Sequence, residues 1–234
     1  MTSYMKYSDD SAAFSDCNSD ISGEFPTTSS ESRRLFLSIN SDELIQSLIT
    51  QLESVSMEDK KQAAMELRLL AKNKPENRIK IAKYGAVKPL ISIMTSPDME
   101  LQEHGVTAVL NLSLCEDNTE MLVKLGVIES LIYALKKGCS SSVSKENAAC
   151  SLLRLSNLDE NKYKIGRAGG VPPLVSLLEC GSMRGKKDAC TALYSLCSVK
   201  ENKVRAVECG VMKVLVEMMA DLGSSMVDKC GFRL

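Results

Sequence analysis

Tryptophan is absent from this 234-residue chain, and aromatics make up only 4% of it, so the core must be built from Leu, Ile, Val, Ala and Met. That supply suits stacked helices better than a sandwich of strands, which favours aromatic and β-branched residues. The net charge is -1, which leaves no global field to draw in nucleic acid or an anionic membrane. No apolar run reaches the roughly 18 residues a membrane helix needs. The opening Met1–Lys6 lacks the apolar stretch of a signal peptide. These absences predict a protein of the cytosol, the nucleus or both.

Histidine occurs once, as His104, and none of the nine cysteines forms a C-x-x-C pair. The cysteines are Cys17, Cys115, Cys139, Cys150, Cys180, Cys190, Cys197, Cys209 and Cys230. An odd count without ligand spacing argues against a disulfide framework or a zinc site. Small reduced thiols used as packing residues fit better. No cofactor or metal is expected.

What is present is a repeat. Four acidic-Asn pairs occur, Glu76-Asn77, Asp117-Asn118, Glu160-Asn161 and Glu201-Asn202. Eight residues after each Asn stands a glycine: Gly85, Gly126, Gly169 and Gly210. Measured from either landmark, the period is 41, 43 and 41 residues. A period near 40 marks stacked supersecondary units. Asn is a good N-cap, because its side-chain oxygen satisfies an orphan amide of the first turn. Glycine ends a helix because it enters the left-handed region cheaply. Each Asn-to-Gly stretch is therefore predicted to be a short first helix, capped by the Asn.

An apolar quartet at i, i+3, i+4, i+7 follows each glycine, the stripe of an amphipathic second helix. The quartets are Val87, Leu90, Ile91, Met94; Ile128, Leu131, Ile132, Leu135; Val171, Leu174, Val175, Leu178; and Met212, Leu215, Val216, Met219. Pro89 and Pro173 fall in its first turn, where a missing N–H costs nothing. A polar loop then leads to a longer third helix. Small residues recur there at matched places: Gly105 and Val106, Ala148 and Ala149, Ala189 and Cys190. They are expected to let helices of neighbouring repeats approach closely.

Residues 39–75 read as a second and third helix without a first, a capping half repeat. Ile45, Leu48, Ile49 and Leu52 supply its quartet, and Ser56 with Asp59 resembles a capping box. Residues 76–234 hold three complete repeats and a fourth that breaks off in its third helix at Lys229–Leu234. The expectation is fraying from about residue 211, or self-association through that end. Residues 1–38, rich in Ser and acid, read as disordered, either an inert tail or a phosphorylated regulatory arm.

A three-helix unit of this length with a glycine break resembles the armadillo repeat. The stretches AAMELRLLAKNKPENRIKIAKYGAVKPLI, HGVTAVLNLSLC, KENAACSLLRLSN and GKKDACTALYSLCSVKENKVRAV are similar to the armadillo region of plant U-box ubiquitin ligases. The likeness covers about residues 41–230, closest to the U-box domain-containing protein 4-like subgroup. It implies an all-α, right-handed solenoid that binds proteins. Two departures stand out. The segment before the repeats is too short and polar to be a U-box, so ligase activity does not carry over. Family members also usually continue with more repeats, so this chain is expected to be a short isoform, a truncated product or a fragment.

The resemblance further implies a concave groove lined by third helices, where an Asn near each helix end bonds the backbone of an extended peptide. Aligned on the glycines, that place is held by Asn111, Arg154 and Ser195. One turn earlier stand Thr107, Cys150 and Thr191, and a turn before that His104, Asn147 and Asp188. The aromatic slots of nuclear-import receptors, which grip lysines by cation–π contact, are missing. What is left is a polar groove with one cation, suited to an acidic or phosphorylated protein segment, or else a merely solvated helix face. Catalysis finds no support. His104 reads as a surface residue rather than a general base. GRAGG at 166–170 lacks the ending of a phosphate loop. The basic run Arg184–Lys187 reads as a helix-start surface. The expected function is a non-catalytic interaction scaffold; the alternative is a substrate-recognition component of a ubiquitin-ligase pathway. Neither nucleic acid nor membrane is an expected partner.

Overall fold

A computed structural model describes residues 41–136, 138 and 140–220, and the described residues form helices without a strand. The expectations for residues 1–38 and for the break at Lys229–Leu234 lie outside the described residues.

Helices α1 (Ser41–Leu52) and α2 (Met57–Asn73) form the half repeat. The first repeat comprises α3 (Pro75–Lys83), α4 (Val87–Ile93) and α5 (Met99–Leu112). The second has a 3₁₀ turn at Glu116–Asn118 running into α6 (Thr119–Lys124), then α7 (Val127–Leu135) and α8 (Ser142–Leu155). The third has α9 (Asp159–Arg167), α10 (Val171–Cys180) and α11 (Met183–Leu196), and the fourth has α12 (Lys200–Glu208) and α13 (Val211–Ala220). The third helices α2, α5, α8 and α11 pack in that order, each on the last.

The landmark glycines all take positive φ, 93° at Gly85, 85° at Gly126, 83° at Gly169 and 82° at Gly210. Each ends a first helix as expected, because a Cβ in that region is strained. The landmark asparagines correct the reading. Helices α3, α9 and α12 begin two residues ahead of Asn77, Asn161 and Asn202. Asn118, at the start of α6, makes no capping bond. The four side chains are instead buried and donate through Nδ2 to the end of the preceding third helix. Their acceptors are Leu70 O (3.2 Å), Leu112 O (3.0 Å), Leu155 O (2.9 Å) and Leu196 O (3.2 Å). Asn118 and Asn202 also reach one repeat back, to Arg78 O (3.1 Å) and Lys162 O (2.9 Å). A helix leaves its last carbonyls without partners, and a buried carbonyl is costly unpaired. The asparagine supplies donors where the chain turns from one repeat into the next.

The quartets of α7 and α10 are wholly buried. In α4, Ile93 is buried and Ile91 only half-buried. In α13, Met212, Val216 and Met219 are exposed, and Val211 and Val214 are buried instead. The small residues of the third helices face a different neighbour from the one expected at Gly105. A Cβ there would lie 2.8 Å from Ile93 Cγ1 of α4, so the close approach lies within its own repeat. At Gly185 both neighbours crowd in, Glu146 of α8 at 3.1 Å and Leu177 of α10 at 3.2 Å.

The third helices α5, α8 and α11 each have a side-chain cap, and the cap is tied to the third helix before it. Asp98 accepts from Leu101 N (3.0 Å) and pairs with Lys61 Nζ at 2.8 Å. Ser141 accepts from Ser144 N (3.0 Å) and donates to Glu103 Oε2 at 2.7 Å. Ser182 accepts from Gly185 N (3.1 Å) and donates to Glu146 Oε1 at 2.6 Å. In the half repeat, Ser56 Oγ accepts from Asp59 N (3.3 Å), and the box closes through Ser54. The Ser54 hydroxyl accepts from Ser56 N (3.1 Å) and donates to Asp59 Oδ2 (3.0 Å).

Candidate functional site

The expected groove residues divide by burial. Thr107, Asn111, Asn147, Cys150 and Asp188 are buried; His104, Arg154 and Ser195 are half-buried; Thr191 is exposed. Several of their polar groups join one repeat to the next. Asn111 Nδ2 donates to Arg68 O on α2 (3.0 Å). Asn147 Nδ2 donates to Thr107 Oγ1 on α5 (2.9 Å). Ser195 Oγ lies 2.8 Å from Ser156 Oγ, just past the end of α8. His104 is not the bare surface residue expected: its Nδ1 lies 3.1 Å from Arg68 Nη1.

Arg184 also departs from the surface reading. Its Nη2 donates to Asn147 Oδ1 (2.8 Å), and the guanidinium lies 3.7 Å from carboxylate oxygens of both Glu146 and Asp188. Those carboxylates are nearly out of solvent, and a buried charge demands a partner. Arg184 thus neutralises two acids between α8 and α11.

At the C-terminal ends of the third helices lies a residue the sequence reading passed over. Arg78, on α3, donates through Nε to Ala71 O (2.8 Å) and through Nη2 to Lys72 O (3.3 Å), at the end of α2. Its Nη1 has no hydrogen-bond partner and the side chain no ion pair among the described residues. Burial holds the Arg78 guanidinium below the usual arginine range; Cys115 and Glu76 oppose that shift, and the positive charge of Arg154 adds to it. Its position in the repeat gave little warning: the residues after the other landmark asparagines are Thr119, Lys162 and Lys203.

Of the described cysteines, Cys150 and Cys190 are buried, Cys115 and Cys197 half-buried, and Cys180 and Cys209 exposed, all as free thiols. Burial pushes the Cys197 thiol up from its ordinary value. No grouping of three potential metal ligands occurs among the described residues.

The three-helix unit, its glycine breaks and its asparagine bridges persist across the stack, and the family model for the "Plant U-box protein ARM repeat region" matches residues 44–231. The chain belongs to this plant U-box armadillo-repeat family. Among its relatives is U-box domain-containing protein 8 of Arabidopsis thaliana, 38% identical over 184 residues, covering 78% of this chain and 48% of the relative. Another is U-box domain-containing protein 12 of the same plant, 46% identical over 112 residues, covering 47% of this chain and 17% of the relative. The chain thus spans less than half the length of these two curated relatives. Solved structures agree on the fold. An engineered protein is 27% identical with a TM-score of 0.71, covering 82% of this chain and 77% of that one. A computationally designed armadillo repeat protein for modular peptide recognition is 22% identical with a TM-score of 0.72, covering 80% and 79%. The fold is an all-α armadillo solenoid.

Proposed function

We propose that this armadillo stack is a non-catalytic scaffold that holds an extended, anionic segment of a partner protein along the C-terminal ends of its third helices. The observation that carries the reading is Arg78, whose guanidinium is fixed on the Ala71 and Lys72 carbonyls at the end of α2 and keeps donors beyond them. Arg154, in the last turn of α8, is a second cation at a third-helix end. Packed helices lie about 8–10 Å apart, and an extended chain rises about 3.3 Å per residue. A segment crossing α5, α8 and α11 would meet a new helix about every third residue. The armadillo fold favours such a mode, since a designed relative in fold is described as made for modular peptide recognition.

The U-box relatives give the scaffold a context. Within it, we place the chain as the part that recognises a substrate in a ubiquitin-ligase pathway, in the cytosol or nucleus. Selection from a displayed library of random linear peptides tests the binding mode. Wild-type protein should enrich acidic sequences, and Arg154→Glu should abolish that enrichment while circular dichroism stays unchanged. Lys88→Glu, an exposed position on α4, is the charge control and should leave the enrichment intact. Enrichment of basic or apolar peptides, or equal loss in both variants, would overturn the reading.

A further inference from the structure

Helix α13 carries an apolar stripe at positions that the preceding repeats bury. Met212, Val216 and Met219 stand at i, i+4 and i+7, which places them on one side of the helix. They are 55%, 60% and 57% exposed. The matched residues of α10, Val171, Val175 and Leu178, are 0%, 4% and 0% exposed, and those of α7 are buried as well. The helix itself is seated. Val211 and Val214, on its other side, are buried, and α13 packs against α10 and α12. The stripe is therefore an outer surface of a docked helix.

Two opposite charges border that stripe. With 3.6 residues per turn, Lys213 and Glu217 fall on the same flank of it, and Leu215 falls on the other. Both charged side chains are exposed, and their Nζ and Oε1 atoms lie 3.8 Å apart along the helix. This arrangement complements itself under a two-fold axis. When two copies of one helix pack antiparallel, each flank faces the same flank of the other copy. The register that sets Met212 against Met219 of the second copy brings Val216 close to its own counterpart at the axis. It also sets Lys213 beside Glu217 of the second copy, twice over. A parallel pair would instead face the charges with the flank of Leu215. We infer that α13 is an isologous, antiparallel docking surface for a second copy of this chain. The inference stands apart from the groove reading, since no groove residue lies on α13. The surface is centred on one helix of 10 residues, so the dimer is a weak one that forms as concentration rises.

Sedimentation equilibrium of the full chain tests this. The average mass should climb with concentration from that of one chain toward that of two. Lys213→Glu sets acids against acids across the axis, and Glu217→Lys sets bases against bases. Each should weaken self-association at least about tenfold, because like charges then face each other and the symmetry counts the change twice. An equimolar mixture of the two variants should associate again, since the acids of one face the bases of the other. A merely structural role for either residue would give no such rescue. Val216→Glu, at the axis, should hold the chain monomeric, and circular dichroism of every variant should match wild type because the altered side chains are exposed. A wild-type chain that stays monomeric throughout would overturn the inference and assign the stripe to another segment or another partner. A dimer that survives Val216→Glu, or a mixture that associates no better than its components, would overturn it too.

Discussion

The side-chain amide of Asn118 donates to the carbonyl of Arg78, 40 residues earlier, at 3.1 Å, and to that of Leu112 at 3.0 Å. One buried residue at the start of the second repeat thereby ties together the end of α5 and the first helix α3 of the repeat before. Asn118→Ala would remove both bonds, leaving Leu112 O only the bond from Cys115 N (3.2 Å). At about 0.5–1.5 kcal/mol net for each bond, the loss should be roughly 1–3 kcal/mol in urea unfolding. Asn118→Asp should cost more, because a carboxylate facing two carbonyls offers no donor. An unchanged urea midpoint in both variants would show that the bridges are incidental.

Asn202 makes the same bridge against Gly166. A Cβ built on Gly166 would lie 1.7 Å from Asn202 Oδ1, so Gly166→Ala must displace the asparagine and break its bonds to Lys162 and Leu196. Alanine in a helix interior should otherwise gain up to about 1 kcal/mol over glycine. A net loss of stability is therefore the expected result, and a gain of that size would mean that the bridge yields freely.

The tie between caps and preceding helices makes a sharper prediction. Ser141 donates to Glu103, whereas the matched Asp98 pairs with Lys61. Ser141→Asp keeps a good cap but sets two carboxylates face to face. It should lose about 1.5–3 kcal/mol, the worth of a hydrogen bond to a charged group. Adding Glu103→Lys recreates the Asp98–Lys61 arrangement and should recover most of the loss. A double-mutant cycle of urea midpoints measures the coupling; additive losses would count against it.

Stability should also depend on pH through the first junction. The Leu101 backbone N–H and then the Lys61 ammonium hold the Asp98 carboxyl below its usual range. Its contribution is therefore present above the unfolded value, about 3.9, and is lost as pH falls through the folded one. Lys61 is shifted the opposite way, raised by Asp98 and Glu100. Its contribution is complete below about 10.4 and fades only at more alkaline pH. Asp98→Asn should flatten the acid limb of a stability profile, and a profile identical to wild type would exclude this pair as its source.

The fourth repeat should be the least protected part of the described fold. Met212, Val216 and Met219 on α13 are exposed, as are Val204 and Val207 on α12, whereas the matched quartets of α7 and α10 are buried. Few buried contacts mean low local opening energy. Amide exchange should be faster in 211–220 than in 127–155 in dilute protein, and comparable protection would contradict this.

How much the sequence revealed follows from the range of the interactions involved. The glycines were legible because a left-handed φ is a local demand that few other residues meet. The asparagines were legible as landmarks but not in their role, since a cap and a bridge place the same residue near the same helix start. Only the acceptors differ, and those lie six or seven residues upstream or a full repeat away. The positions of Asn111, Arg154 and Ser195 on successive third helices followed from the period. The pairing of Asn147 with Thr107 and Arg184 did not, because it depends on how neighbouring third helices stack. Arg78 was invisible for a related reason: it lies on a first helix, and its guanidinium reaches a third-helix end only when folded back onto the Ala71 and Lys72 carbonyls of α2.

The central claim is that partners lie along the third-helix ends, and a hydrogen-exchange footprint tests it most directly. The wild-type chain should be compared with and without the acidic peptide most enriched in the library selection. The account predicts that peptide-dependent protection concentrates at the C-terminal turns of α5 and α8 and in the exposed mid-to-late part of α11 around Thr191, together with the segment around Arg78. Protection confined to α4, α7 and α10, with those turns unchanged, would contradict it.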